Sequence, residues 1–298
     1  MQRRFVSVGE CMVEMAPTGT AGTFAMGFAG DTFNTAWYAR RALPDDWRVD
    51  YVSCVGTDPV SDRMLAFMEH GGVGTTHVAR IPDRTVGLYL IELSDGERSF
   101  VYWRGQSAAR LLARDPARLD AALDGAGLVY FSGITLAILD ARDRAVLLEA
   151  LDRGRAAGAQ VAFDPNLRPR LWRDLDAMRA AVTKAAAHAD IVLPSFDDEA
   201  AVFGDASPEA TARRYAAGGA KLVVVKNGPG EMLTLDAGTV AVHAPERVAR
   251  VEDTTAAGDS FNAGFLAARL GGASLANAVR EGARTAARVI GARGALVG

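Results

Sequence analysis

The chain has 298 residues, of which 49% are hydrophobic and 23% charged, so it can bury one large core and disorder is not its default state. Its formal charge of −3 argues against a dedicated nucleic-acid binder, which carries a basic stripe, and no run of like charges offers a membrane surface a partner. No stretch approaches the roughly 20 apolar residues of a membrane span, and the expected setting is cytoplasmic.

In chain order, Arg3-Arg4 precedes the apolar Phe5-Val6-Ser7-Val8, but Gly9 and Glu10 end that run too soon for a secretory signal. Cys11 and Cys54 sit inside apolar runs and read as buried, reduced thiols. Residues 11–28 hold strand-like pieces with no helix between them, and Gly30 and Asn34 then open a helix running to Arg40. Residues 51–55 read as a strand, Gly56-Thr57-Asp58 as its turn and 60–69 as a helix. Segments 87–93 and 98–103 flank Ser94-Asp95-Gly96-Glu97, a hairpin signal. Beyond them, 128–131, 161–163, 191–193 and 222–225 are continuously apolar, with helical periods at 142–157 and 178–188. Runs of that kind suit parallel strands covered on both faces. The alternation implies a three-layer α/β fold with a mainly parallel central sheet, residues 1–298 forming one domain. The two segments outside that rhythm, near 11–28 and 86–104, are expected to make a small β lid.

The strongest chemical signal is Asp253-Thr254-Thr255-Ala256-Ala257-Gly258-Asp259-Ser260-Phe261. Val248 and Val251 before it fit an extended segment, while Phe261, Phe265, Leu266 and Leu270 after it repeat at helical spacing. Ala256, Ala257 and Gly258 therefore fall at a strand-to-helix handover, where unpaired N–H groups and the positive dipole end attract phosphate. Asp259 in the same first turn could take a proton from an attacking hydroxyl, or Thr254, Thr255 and Asp259 could simply cap the helix. Neither G-x-x-x-x-G-K-[ST] nor G-x-G-x-x-G occurs. His70, His77, His188 and His243 show no metal-ligand spacing.

The run from Asp253 through Phe261, with Ala263-Gly264, resembles the C-terminal signature of the PfkB, or ribokinase-like, carbohydrate kinase family; Ala256 stands where that family usually has glycine. Ala29-Gly30-Asp31-Thr32-Phe33-Asn34-Thr35-Ala36 is similar to its N-terminal signature, and the likeness includes the Val55-Gly56-Thr57-Asp58 turn. Within the family, four phrases resemble the kinases of 2-keto-3-deoxygluconate. They are the Gly30 to Ala36 run, Gly87-Leu88-Tyr89-Leu90-Ile91-Glu92, Tyr102-Trp103-Arg104 and Asp164-Pro165-Asn166-Leu167-Arg168. The resemblance implies ATP and Mg²⁺, leaves a monovalent cation open, and implies phosphorylation of the 6-hydroxyl of that sugar acid by a chain that self-associates. Asp259 becomes the base, and the Ala256, Ala257 and Gly258 amides the anion hole and phosphate contacts.

Arg104 at the hairpin end and Arg168 after a strand are placed to pair with a substrate carboxylate, or else are surface or ATP-phosphate contacts. Tyr89 and Tyr102 lie on the two hairpin strands, where alternation either turns both toward the substrate or packs them against each other. Gly30, Asp31 and Asn34 would bind sugar hydroxyls or cap their helix. By resemblance, Lys226, Asn227, Gly228 and Gly230 run along the nucleotide with Asn166 nearby; the alternative is an ordinary turn. The family's N-x-x-E, tied to magnesium, is read here with Phe196 at the asparagine position and Glu199 retained, acting on the metal through water. Two other readings remain: a kinase of a neutral sugar or nucleoside, and a non-catalytic sugar-acid sensor.

Overall fold

Strands that are apolar at every position need cover on both faces, and that requirement shapes the molecule. The computed structural model describes residues 3–94 and 97–297. It begins with β1 (Arg4–Val8), β2 (Met12–Pro17), β3 (Phe24–Ala29), α1 (Asp31–Ala42), β4 (Arg48–Val55), α2 (Pro59–His70) and β5 (Val78–Arg80). There follow β6 (Leu88–Ser94), β7 (Glu97–Trp103), α3 (Pro116–Leu123), β8 (Leu128–Ser132), α4 (Gly133–Ile138), α5 (Ala141–Ala156) and β9 (Gln160–Asp164). Next are α6 (Leu175–Ala186), β10 (Ile191–Val192), α7 (Phe196–Phe203), α8 (Pro208–Ala217) and β11 (Leu222–Val225). The last elements are β12 (Met232–Asp236), β13 (Thr239–His243), α9 (Ala257–Leu270) and α10 (Leu275–Ile290).

Among the described residues, nine strands form one sheet in the order β13-β12-β11-β10-β9-β8-β1-β4-β5. Pairing is parallel from β11 to β5 and antiparallel only at the β12 and β13 edge. Successive side chains enter opposite layers: in β8, Val129 and Phe131 join one core cluster, Leu128 and Tyr130 the other. The first cluster is roofed by Leu119 of α3, Leu147 of α5, Met178 and Val182 of α6 and Tyr215 of α8. Phe33 and Trp37 of α1, Met64 of α2, Phe261 and Phe265 of α9 and Val279 of α10 close the second. Each fully buried Val, Leu or Phe contributes roughly 1.5–3 kcal/mol over exposure. This apolar framework, not the polar groups at its edge, holds the fold.

The expected three-layer α/β architecture is therefore present, and the segments outside its rhythm form a separate sheet in the order β3-β2-β6-β7. There β2 pairs antiparallel with β3 and parallel with β6, and β6 pairs antiparallel with β7. The Asp95-Gly96 turn lies outside the described residues, but its flanking strands pair as a hairpin. Cys11 and Cys54 are free and buried. One expectation fails: residues 244–254 form no strand before α9. The Glu252 and Asp253 amides instead donate to the Ile290 carbonyl at the end of α10 (2.8 and 3.3 Å), so α9 is entered from a loop. No helix among the described residues is long and apolar enough to cross a membrane.

The chain leaves β1 toward β4 in one direction and β8 toward β11 in the other, so the order reverses between β1 and β8. In open α/β sheets, ligands bind beyond the carboxyl ends of the strands at such a reversal.

Candidate active site

The strands deliver polar residues at that edge one after another: Glu10 after β1, Ser132 at the end of β8, Asp164 and Asn166 at β9, Asp198 beyond β10 and Lys226 after β11. Helix capping marks the same place. Among the described α-helices, seven have a side chain accepting from a first-turn amide: Asp58, Asp115, Ser132, Asp140, Asp174, Ser207 and Ser274. The N-caps of α1, α7 and α9, which are Gly30, Ser195 and Ala256, make no such bond. All three helices start at this edge, where an anion can take the open amides.

Ala256 and Asn166 hold φ at 60° and 34°, in a left-handed region that costs a side chain about 1–2 kcal/mol. The cost at Ala256 arises because alanine occupies a position suited to glycine. Of the three expected anion-hole amides, that of Ala257 is drawn to the Thr254 carbonyl at 3.2 Å. The Gly258 amide lies in the open first turn, and a Cβ on Gly258 would stand 3.5 Å from the Lys226 ammonium.

Asp259 is half-buried and keeps part of its surface open. Its Oδ2 accepts from Asn34 Nδ2 at 2.8 Å, and the Thr35 hydroxyl donates to its carbonyl at 3.3 Å. Burial, and next the neighbouring Asp31 carboxylate, push its pKa up to about 7; the Asn34 bond opposes them, Asp164 adds to the rise and Lys226 lowers it. The result is a carboxyl poised near neutrality, as a general base requires. Asp31 is itself raised by burial, against hydrogen bonds from Ser132, the Thr32 amide and Asn166; Asn166 Nδ2 reaches its Oδ2 at 2.8 Å.

Beneath these groups lies a buried network that sequence reasoning missed. Lys226 Nζ donates to Asp164 Oδ2 (3.1 Å) and Asn262 Oδ1 (3.2 Å), and Asn262 Nδ2 donates to Asp164 Oδ2 (2.6 Å) and Tyr130 Oη (3.0 Å). Asn262 follows Asp259 by one helical turn, and that spacing was the available signal. Lys226 thus stands under the start of α9. Asn227, Gly228 and Gly230 form the β11–β12 turn, with Gly230 N–H donating to the Asn227 carbonyl at 2.7 Å, Asn227 Nδ2 to the Glu231 carbonyl at 3.1 Å and Gly228 at φ 48°.

Glu199 does not face this cleft. It is fully buried, accepting from Arg214 Nη2 at 2.7 Å and from Tyr215 Oη at 2.9 and 3.0 Å. Burial raises its pKa to about 7, whereas Arg214, bonded also to Asp205, is pushed further into its charged form; the wholly buried carboxyl is the group that is hard to ionise. Its neighbour Asp198 meets the site instead. Asp198 Oδ2 lies 3.4 Å from Arg168 Nη1, and burial raises its pKa, with Arg168 opposing and Asp164 adding to the rise. Adjacent helix positions differ by about 100°, so the acidic run Asp197-Asp198-Glu199 held the right chemistry one residue away.

No group of three or more His, Cys, Asp or Glu among the described residues could hold a metal ion alone. Mg²⁺ commonly keeps its waters and is bound through one or two carboxylates plus substrate phosphates. Asp198, with Asp164 close enough to raise its pKa, fits that mode.

In the small sheet Tyr89 and Tyr102 are direct cross-strand partners, their rings 5.9 Å apart. They therefore share a face and also pack on each other. Tyr89 is buried with its hydroxyl on Glu14, while Tyr102 is exposed. Arg168 is exposed, and Arg104 is buried with its guanidinium on Glu10.

An open helix terminus, an amide-held carboxylate and a lysine beneath them, at the reversal of a doubly wound sheet, define a small-molecule kinase, a phosphotransferase with an alcohol acceptor. Residues 2–297 match the profile of the pfkB family carbohydrate kinases, and the chain belongs to that family. A 2-dehydro-3-deoxygluconokinase of Dickeya dadantii (strain 3937) is 40% identical over 297 residues, which are 97% of this chain and 95% of that protein. One from Escherichia coli (strain K12) is 40% identical over 304 residues, covering 100% of this chain and 98% of its own length. The solved fructokinase with bound ATP from Xylella fastidiosa matches with a TM-score of 0.87 at 25% identity, over 99% of this chain and 94% of that one.

Proposed function

We propose that the protein transfers the γ-phosphoryl group of ATP to the 6-hydroxyl of 2-keto-3-deoxygluconate, the acid also called 2-dehydro-3-deoxygluconate. The carrying observation is Asp259, fixed by Asn34 in the open first turn of α9 with its pKa near 7. As the hydroxyl oxygen bonds to the γ-phosphorus, the bond to the β–γ bridging oxygen breaks and ADP leaves. The hydroxyl proton passes to the Asp259 carboxylate. The α9 amides, led by Gly258, and the Lys226 charge beneath them stabilise the equatorial oxygens. Bound Mg²⁺ would neutralise phosphate charge, with Asp198 as its protein-side carboxylate and Asp164 behind it. Asn227, Gly228 and Gly230 would border the nucleotide. Gly30, Asp31, Asn34 and Asn166 would meet the sugar, under a lid formed by the small sheet that excludes water.

Arg168 and Arg104 would select the substrate carboxylate. A neutral-sugar kinase draws on one observation, that the Arg104 charge is already matched by Glu10. Release of ADP, measured over a panel of aldonic acids and neutral sugars for wild type and Arg104→Ala, decides between them. The acid reading expects wild type to prefer the sugar acid and the variant to lose about tenfold or more in kcat/KM on acids alone. Equal losses on acids and neutral sugars contradict it. We place the enzyme in the cytoplasm, in keeping with ATP use and two free buried thiols. Phe100, Val101, Tyr102 and Trp103, exposed on the lid, support self-association there.

A further inference from the structure

Four chain crossings join the lid to the core, and all four meet at Glu10. The residue lies in the crossing from β1 to β2, and its side chain is fully enclosed. Gly30, where β3 returns to α1, packs so closely that a Cβ there would come within 2.2 Å of the Glu10 carbonyl oxygen. Gly87, where the chain enters β6, would place a Cβ 2.9 Å from Glu10 Oε1 and 3.2 Å from Arg104 Cβ. Arg104, where β7 leaves the lid, puts its Nη2 on Glu10 Oε2. Neither glycine has a left-handed backbone, so close approach to Glu10 is the constraint at both.

The ion pair is incomplete. Arg104 is 8% exposed, yet its Nε has no hydrogen-bond partner, and Glu10 Oε1 is likewise buried without one. Buried polar groups are rarely left open, and a guanidinium carries five donors suited to carboxylates. The pair also borders the reaction centre. Gly30 donates to Asn34 Oδ1 at 3.3 Å, and Asn34 holds the Asp259 carboxylate. The guanidinium carbon sits 5.9 Å from the centre of the Tyr102 ring.

We infer that Glu10 is a positioning residue for substrate selection: from the point where the lid is rooted, it aims Arg104 so that the unused guanidinium edge meets the acid group of the substrate. Engaging that edge ties the substrate to every strand that enters or leaves the lid, so acid recognition and lid closure act together. This inference rests on the sugar-acid reading above. A glutamate that merely neutralised Arg104 would compete with the substrate, and its removal would tighten binding. A purely structural glutamate would leave the acid's KM alone or change it together with that of ATP.

The test is steady-state kinetics of Glu10→Gln, which keeps the volume and removes the charge, alongside thermal unfolding. The expected result is a KM for the sugar acid raised about tenfold, with the KM for ATP and kcat within about threefold of wild type. More ADP should also form per molecule of phosphorylated product, because a lid that closes without fixing the acid admits water. A KM for the acid that falls or stays unchanged, or that rises in step with that for ATP, overturns the inference. Should Glu10→Gln fail to fold, Arg104→Lys keeps the charge but loses the Nε donor, and it must show the same selective rise in KM or the inference falls. Wild-type turnover of the sugar acid is measured first. Its absence rejects the proposed substrate, whereas the ratio of variant to wild type judges Glu10.

Discussion

Among the described residues, two acids have their pKa pushed up to about 7, and one of the two is placed to do chemistry. Asp259 and Glu199 are both raised to about 7, chiefly by burial. Glu199 is sealed, with Arg214 and Tyr215 on its oxygens. Asp259 has an amide and nearby carboxylates around it and keeps an open side, under a helix start that has no cap. A perturbed pKa therefore does not identify a catalytic group by itself; access to a substrate and unspent hydrogen-bonding capacity do.

Neutralising each acid in turn gives the largest contrast. Asp259→Asn is expected to lower kcat by about 10²–10⁴ with ATP affinity kept, and Glu199→Gln to leave kcat within about threefold; turnover assays with nucleotide-binding titrations check both. Stability should treat the two alike. An acid whose folded pKa is raised holds a proton that the unfolded chain has lost, so between the ordinary carboxyl range and about 7 stability falls as pH rises. Relative to wild type, each variant should therefore gain stability as pH rises from about 4 to about 8. Denaturant melts across pH test this. A gain confined to one variant would show that the two environments differ in more than access.

Asp198 sharpens the comparison from one residue away. Asp198→Asn should raise the Mg²⁺ concentration for half-maximal rate about tenfold, and Glu199→Gln should leave it unchanged, as Mg²⁺ titrations of the rate would show. The smallest effect belongs to Ala256. Ala256→Gly relieves the left-handed alanine and should stabilise the fold by about 0.5–1 kcal/mol with activity within about threefold, read from urea midpoints and initial rates.

Much of this was legible in the sequence for physical reasons. Strands covered on both faces must be continuously apolar, as 128–131 and 222–225 are. The hairpin was visible in its turn residues, and the α9 site in small residues before an acid. What escaped is what folding brings together from afar. Arg104 was read as a cation placed to pair with a carboxylate, but its partner Glu10 lies 94 positions away. The Asp164–Lys226–Asn262 network joins two strand ends to a helix, and no local pattern encodes that meeting. Glu199 was misplaced because helical rotation, invisible in a short acidic run, turns it inward and Asp198 outward. The entry to α9 looked extended because Val248 and Val251 are β-formers, yet no neighbouring strand is there to pair with them.

The account is tested most directly by kcat/KM for the sugar acid as a function of pH, at saturating ATP and Mg²⁺, in wild type and Asp31→Asn. Asp259 must be ionised to accept the proton, so the rate should climb through about pH 7 to a plateau. Because the Asp31 charge helps to raise Asp259, the variant's climb should move to lower pH. A wild-type profile that is flat across this range, or one that Asp31→Asn leaves in place, would contradict the assignment of Asp259 as the base.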